Sequence, residues 1–409
     1  MTPRTLATTT AVALAAGAAL AAGGSGAPAS PAASHQAGGE VTYTFQGRGF
    51  GHGVGMPQYG ARGRALAGWD GGRIVRFYYR GTTLSVVKRR TVRVLLAPDV
   101  RSVAVTSAGR WRAVGARVDG PRVTALPPRV PHTLRIRADG RVALMRGARR
   151  VALFRGAPRV EAVKKGGTVS WGPSAPEADR TYRGALRVVP TGGDFSLVNV
   201  VDLEDYLKGV VPREMPADWG DDAPAALVAQ AVAARSYAIA TMSPTAVYDI
   251  FDDTRSQVYG GRTAEDPRTN RAVDSTRGTV LTYQGEVIVA FFYSSSGGRT
   301  ENIENMFPGA PRRPYLVSVP DPYDRVSPYH RSWPDPPTHT AAEMGRMLGM
   351  GAPVTEFTVL KRGVSPRVVS ARATTASGRS KTFGGLELRR LLGLRDSWFT
   401  VTRRPPAAP

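Results

Sequence analysis

The hydrophobic pattern of this chain changes period at Asp202, and a fold built from one type of secondary structure cannot accommodate both halves. From Thr91 to about Ser196, short runs alternate apolar and polar residues. Examples are VRVLLA (92–97), HTLRIRADGRVALM (132–145) and GALRVVPTGGDFSLVNVV (184–201). Alternation places successive side chains on opposite faces of a strand. Asp139-Gly140 and Gly192-Gly193 fall between such runs and predict hairpin turns. The 46 Gly and 32 Pro suit many turns better than a helical bundle. After Asp202 the period lengthens. In DLEDYLKGVV, Asp202 is an N-cap, Glu204 and Asp205 complement the helix dipole, and Pro212 is expected to end the helix. A second helix is predicted over Ala223 to Ala240. Its Leu227, Val228, Val232 and Ile239 sit among alanines that permit close packing. Strands over 279–296, a Pro-rich loop over 308–337, a helix at 340–349, strands at 354–360 and 367–375, and a helix at 386–394 complete the reading. Near the start, VTYTFQGRGFGHGVGMPQYG (41–60) reads as a strand and then a glycine-dense loop. Residues 64–80 read as one helix closed by Gly81. The expected class is α+β.

The first forty residues point to export. Residues 11–22, AVALAAGAALAA, form an apolar run after Arg4. The run is too short for the roughly 20 apolar residues that span a bilayer. Small residues at Ala18–Leu20–Ala22 or Ala27–Pro28–Ala29 offer cleavage positions. A signal peptide is expected over 1–29 and a low-complexity linker over 30–40, although a disordered Ala-rich terminus would read the same way. No other segment has the length of a transmembrane anchor, and the missing cysteine excludes a lipoprotein anchor, a disulfide or a thiolate metal site. The five histidines (35, 52, 132, 330 and 339) are scattered, so no metal and no cofactor is expected. The net charge is +23, from 55 Lys and Arg against 32 Asp and Glu. Such a surface concentrates polyanions. A secreted chain meets anionic wall polymers first, and no regularly spaced base-stacking aromatics suggest nucleic acid.

The chemistry centres on YLKGVVPREMPADWG followed by LVAQAVAARSYAIA. Glu214 lies between Pro212 and Pro216, which fix the backbone on both sides. Met215 and Trp219 offer an apolar wall of the kind that keeps a carboxyl protonated for general acid work. A glutamate in a loop is by itself ordinary surface. These segments, with SQVYGG (256–261), AVDSTRGTVLTYQGEVIVAFFYSSSGGRTEN (272–302), TFGGLELRRLLGLRDSWFTV (382–401) and GHGVGMPQYGARG (51–63), closely resemble the stage II sporulation protein D / amidase enhancer family. The resemblance runs continuously over roughly 185–401, plus 47–80.

The resemblance implies a mixed α/β catalytic domain with an inserted or appended β-rich domain. The expected parts are an N-terminal GHGVGM segment (41–83), a β-rich domain (84–183), a catalytic or binding domain (184–402) and a disordered tail (403–409). In the sporulation members the GHGVGM-type motif follows the WFTV-like strand. Here it comes first, a circular-permutation-like placement that should bring 41–63 beside 397–402. The family also implies Glu214 as the acid of a peptidoglycan lytic transglycosylase, acting on the glycan bond between MurNAc and GlcNAc. The alternative it carries is a non-catalytic enhancer of a cell-wall amidase. Beside Glu214, the candidate substrate-binding residues are Gln230, Arg235 and Tyr237 on the second helix, and Ser295 and Ser296 with Ser294 at the end of a strand. His52, Gln58 and Tyr59 of the glycine loop complete the set. Arg235 serves equally well as a structural ion pair, and the serines as a polar turn. Aromatic groups at Tyr59, Trp219, Tyr237 and Tyr293 are expected to stack on sugar faces.

Overall fold

The computed structural model describes residues 40–177, 179–243 and 247–405. The expected signal peptide and all of the linker but Glu40 lie outside them. The described chain divides into two compact units, one over 91–201 and 242–260, the other over 40–90, 202–241 and 261–405.

The first unit is β-rich. Its hub is the fourteen-residue strand Arg149–Ala162, which pairs antiparallel with Val142–Arg146, Trp111–Arg117 and Ala185–Pro190. Register shifts at Arg150/Ala152 and Arg155/Arg159 bend the strand, so that one long element serves several partners. The two expected hairpins are present. Ile136 faces Val142 across Asp139-Gly140, where Gly140 has φ +72°, and Pro190 faces Phe195 across Gly192-Gly193. The unit runs on to Val201 because the hairpin 185–201 pairs with the hub strand; the boundary expected at residue 183 falls between paired strands.

The second unit carries the helices. Among the described residues these are α1 (Gln58–Leu66), α2 (Gly71–Tyr78), α3 (Leu203–Glu214), α4 (Trp219–Asp222), α5 (Pro224–Thr241), α6 (Pro267–Ser275), α7 (Ile303–Met306), α8 (Ala341–Met347) and α9 (Gly385–Leu391). The single helix expected over 64–80 is two. Gly68 takes φ +80°, and the Asp70 carboxylate then caps α2 by accepting from the Arg73 amide. Asp202 caps α3 in the same way through the Glu204 amide. Pro212 does not end α3; it lies inside the last turn. The helix stops because Pro216 drives Met215 to an extended φ of −130° and ψ of 135°.

α5 is buried around most of its circumference. Its alanines let α1, α2, α3, α4, α6 and strand Thr279–Tyr283 all pack on one cylinder. The Ser236 hydroxyl donates to the Val232 carbonyl and accepts from the Leu281 amide, tying helix to strand.

A second core closes the C-terminal part. Strand Thr42–Gly47 lies antiparallel to Phe399–Arg404, with Thr42 opposite Arg404 and Gly47 opposite Phe399. The sequence reading places 41–63 beside 397–402, and these are the segments that pair. Arg403 and Arg404 belong to this strand rather than to a loose tail. Tyr43 and Phe45 enter a cluster with Trp333, Met344, Phe357, Phe383, Leu388 and Phe399. The Phe45 ring meets Phe357 edge-on at 5.7 Å and Phe399 at 5.3 Å. Among the described residues no helix is long and apolar enough to cross a membrane. Phe45→Ala should cost about 3–5 kcal/mol of stability, read as a lower urea midpoint in equilibrium unfolding.

Candidate functional site

Glu214 is the last residue of α3 and is 2% exposed. α1 begins where α3 ends: the Gln58 side chain donates from Nε2 to the Glu214 carbonyl at 2.8 Å. The next residue, Tyr59, donates its backbone N–H to Ser294 and packs its ring on Trp219 of α4 at 4.9 Å. Arg62, one turn on, lies over the Trp219 ring at 4.8 Å and pairs with Asp222 at 2.8 Å. The aromatic pair and the Glu214 backbone thus share one corner, made by the N-terminus of α1, the C-terminus of α3 and the short α4.

Tyr237 stands on α5, with its ring 5.9 Å from Phe291 and 6.3 Å from Phe292. Burial first, and then the charge of Glu214, push its phenol up to about 12. Tyr237 therefore keeps its proton at neutral pH. Several buried polar atoms here have no protein partner: Oε1 of Gln58, both amide atoms of Gln230, and the hydroxyls of Tyr293 and Ser294. An unanswered buried polar group costs about 1–3 kcal/mol, so such atoms are met by ordered water or by ligand.

Other expected site residues belong to the frame. Arg235 is fully buried and bidentate on Glu204, with Nε–Oε1 3.0 Å and Nη2–Oε2 2.6 Å. It also donates to the carbonyls of Val273 and Thr279, so it joins α3, α5, α6 and a strand. No donor faces outward to a sugar, and of the two roles open to it the structural one is realised. The Ser295 hydroxyl donates to Asp324 and the Ser296 hydroxyl to Asp321, each at 2.9 Å, both wholly buried. These serines fold a turn rather than line a groove. His52 is 6% exposed; its Nδ1 accepts from the Val54 amide and its Nε2–H donates to the Phe292 carbonyl. That pattern fixes one neutral tautomer. Burial above all, then the nearby Arg389 charge, lowers its pKa to about 3.

Comparison with known proteins finds relatives of the chain. The family model for the stage II sporulation protein matches residues 191–283, which include Glu214, Gln230 and Tyr237. Stage II sporulation protein D of Bacillus subtilis strain 168 is 34% identical over 223 residues, covering 50% of this chain and 62% of that one. Over this part the chain is similar to the stage II sporulation protein D / amidase enhancer family. The amidase enhancer of the same Bacillus strain is 44% identical over 118 residues, 29% of this chain and 15% of that one. An uncharacterised protein of Brachyspira hyodysenteriae is 40% identical over 141 residues, 34% of this chain and 37% of its own. The chain spans at most 62% of the length of these relatives. No solved structure matches it.

Sequence reasoning missed what holds the loops of 294–330. Asp324 accepts from the Ser296 and Gly297 amides at 2.9 and 3.0 Å, from the Ser295 hydroxyl, and meets His330 at 3.1 Å. Asp321 accepts from Arg64 and from the Tyr78 hydroxyl. The available signal was DPYD (321–324), two acids in an otherwise Pro-rich loop. Among the described residues no group of three or more His, Asp or Glu side chains is placed to hold a metal.

Two outcomes follow. His52 has a folded pKa below its unfolded value of about 6.5, so the stability it carries is present above pH 6.5 and lost as pH falls toward 3. His52→Gln should flatten that part of the profile, removing a slope approaching 1.4 kcal/mol per pH unit from thermal or urea unfolding. Arg235→Ala should leave Glu204 buried and unpaired and lower stability by roughly 3–5 kcal/mol, measured by calorimetry.

Proposed function

We propose that the chain is a secreted protein acting on peptidoglycan, a lytic transglycosylase with Glu214 as its general acid and base. The observation that carries this reading is the 2%-exposed carboxyl-bearing residue at the end of α3, within the family-matched segment and beside the Tyr59–Trp219 pair. One carboxyl suffices for the chemistry. Its proton goes to the glycosidic oxygen as the MurNAc C1–O bond to GlcNAc breaks. The resulting carboxylate takes the proton of the MurNAc C6 hydroxyl as O6 bonds to C1. The acid is regenerated, no water is consumed, and one product ends in a 1,6-anhydro sugar. A hydrolase would instead use two carboxyl groups and a water.

Around that step the other side chains have simple roles. The part-exposed Tyr59 ring, backed by Trp219, suits the apolar face of a pyranose. The Tyr237 phenol, protonated at neutral pH, supplies a donor. The unpartnered amide of Gln230 and hydroxyl of Ser294 suit hydroxyl and N-acetyl groups of a glycan. Gln58 sets the position of the Glu214 backbone.

The match to an amidase enhancer favours a second reading, in which the same surface binds the wall and stimulates an amidase without cleaving glycan. Purified glycan strands, with and without stem peptides, distinguish the two. The parent protein should release 1,6-anhydro-MurNAc ends detected by mass spectrometry, and Glu214→Gln should lower that rate at least 100-fold while still binding. Absence of anhydro ends from the parent on both substrates, with faster turnover by an added amidase, would replace the lyase by the enhancer.

A further inference from the structure

A separate cavity of about 310 Å³ opens in the C-terminal part of the helical unit. It is lined by Arg48, Arg331, Arg362, Trp398, Pro366 and Thr400, among others, and no acidic side chain lines it. Its construction follows from the pairing of the first and last strands. Arg48 leaves strand Thr42–Gly47 and donates its backbone N–H to the Trp398 carbonyl, which places its guanidinium over the indole at 5.0 Å. Arg362 ends strand Val354–Arg362. Its Nη1 donates to the Pro366 carbonyl at 2.6 Å and its Nη2 to the Phe399 carbonyl at 3.0 Å. The cation is thereby aimed by main chain, with neutral oxygens rather than a carboxylate as its partners. Burial lowers its pKa, the mark of a cation partly stripped of water and not repaid by a counter-ion.

We propose that this cavity binds the oxyanion of an anionic polymer. The guanidinium groups of Arg48, Arg331 and Arg362 receive the oxyanion, and the Trp398 ring, with Arg48 over it at 5.0 Å and Arg367 at 5.3 Å, holds the Arg48 side chain in place. Guanidinium forks match the geometry of both carboxylate and phosphate. No contact of this site involves Glu214, so binding here stands apart from the cleavage chemistry.

The oxyanion has two sources, a phosphodiester or a sugar carboxylate, and the probes separate them. Poly(glycerol phosphate), polygalacturonate and a neutral N-acetylglucosamine oligomer would be titrated calorimetrically into the protein. The comparison is between Arg48→Gln/Arg331→Gln and a control of equal charge change, Arg149→Gln/Arg150→Gln, on the β-rich unit. Arg362 is left intact because its two main-chain bonds make it part of the fold. The pocket variant should lose about tenfold or more in affinity for at least one polyanion, while the control stays within about twofold. The polyanion that responds names the source. Equal losses in both variants, or none in the pocket variant, would reduce binding to the net charge of +23 and overturn the site. Affinity for the neutral oligomer matching that for the polyanions would overturn it as well. Glu214→Gln should bind the polyanion like the parent; a loss there would place the binding in the Glu214 corner instead and sink the proposal without touching the lyase reading.

Discussion

The helical unit is organised around one ion pair, Arg367 with Asp396, neither of which reaches solvent. Nε and Nη2 of Arg367 bond the two carboxylate oxygens at 2.8 and 2.9 Å. The remaining donors reach the Arg299 carbonyl at 2.7 Å and the Ser296 carbonyl at 2.9 Å. One guanidinium therefore gathers the turn after Ser294, the approach to the last strand and the turn that leads into strand Val368–Thr375. The glycine loop is fitted against it. Gly53 has φ +84°, and a Cβ there would collide with the Arg367 side chain. A buried pair of this kind contributes little net stability against an apolar substitute, but losing one partner is costly. Its effect is to fix which loops meet.

From that frame the site corner follows. The loop that passes Arg367 runs directly into α1, and α1 delivers Gln58 to the end of α3 and Tyr59 to Trp219. The turn held by Asp321 and Asp324 presents the Ser294 carbonyl to the Tyr59 amide. The polar groups that sequence reading assigned to ligand divide accordingly. Those with a charged protein partner, Arg235, Ser295 and Ser296, build the corner. Gln230 and Ser294, equally buried, have side-chain polar atoms that meet no protein partner.

Local chemistry made much of the fold legible. Alternation predicted the strands of 91–201, Asp-Gly and Gly-Gly marked real hairpins, and Asp202 marked a real cap. The errors also have local causes. Pro212 is tolerated inside α3, and the stop comes from Pro216 acting on the residue before it. The helix over 64–80 breaks where Gly68 turns left-handed and Asp70 caps afresh. Glu214 was expected in a loop, where its own residues read as ordinary surface and only the family resemblance singled it out; it is instead the buried last residue of α3, because Pro212 does not end that helix. The fate of Arg235 and His52 was not legible, since it depends on Glu204 and on Phe292, 31 and 240 residues away.

The pairing of Thr42–Gly47 with Phe399–Arg404 also carries a kinetic cost. Strand Thr42–Gly47 needs a partner more than 350 residues downstream, and until the two meet Tyr43 and Phe45 stay outside the core that they complete. Contacts that distant form slowly, because the loop they close is nearly the whole chain.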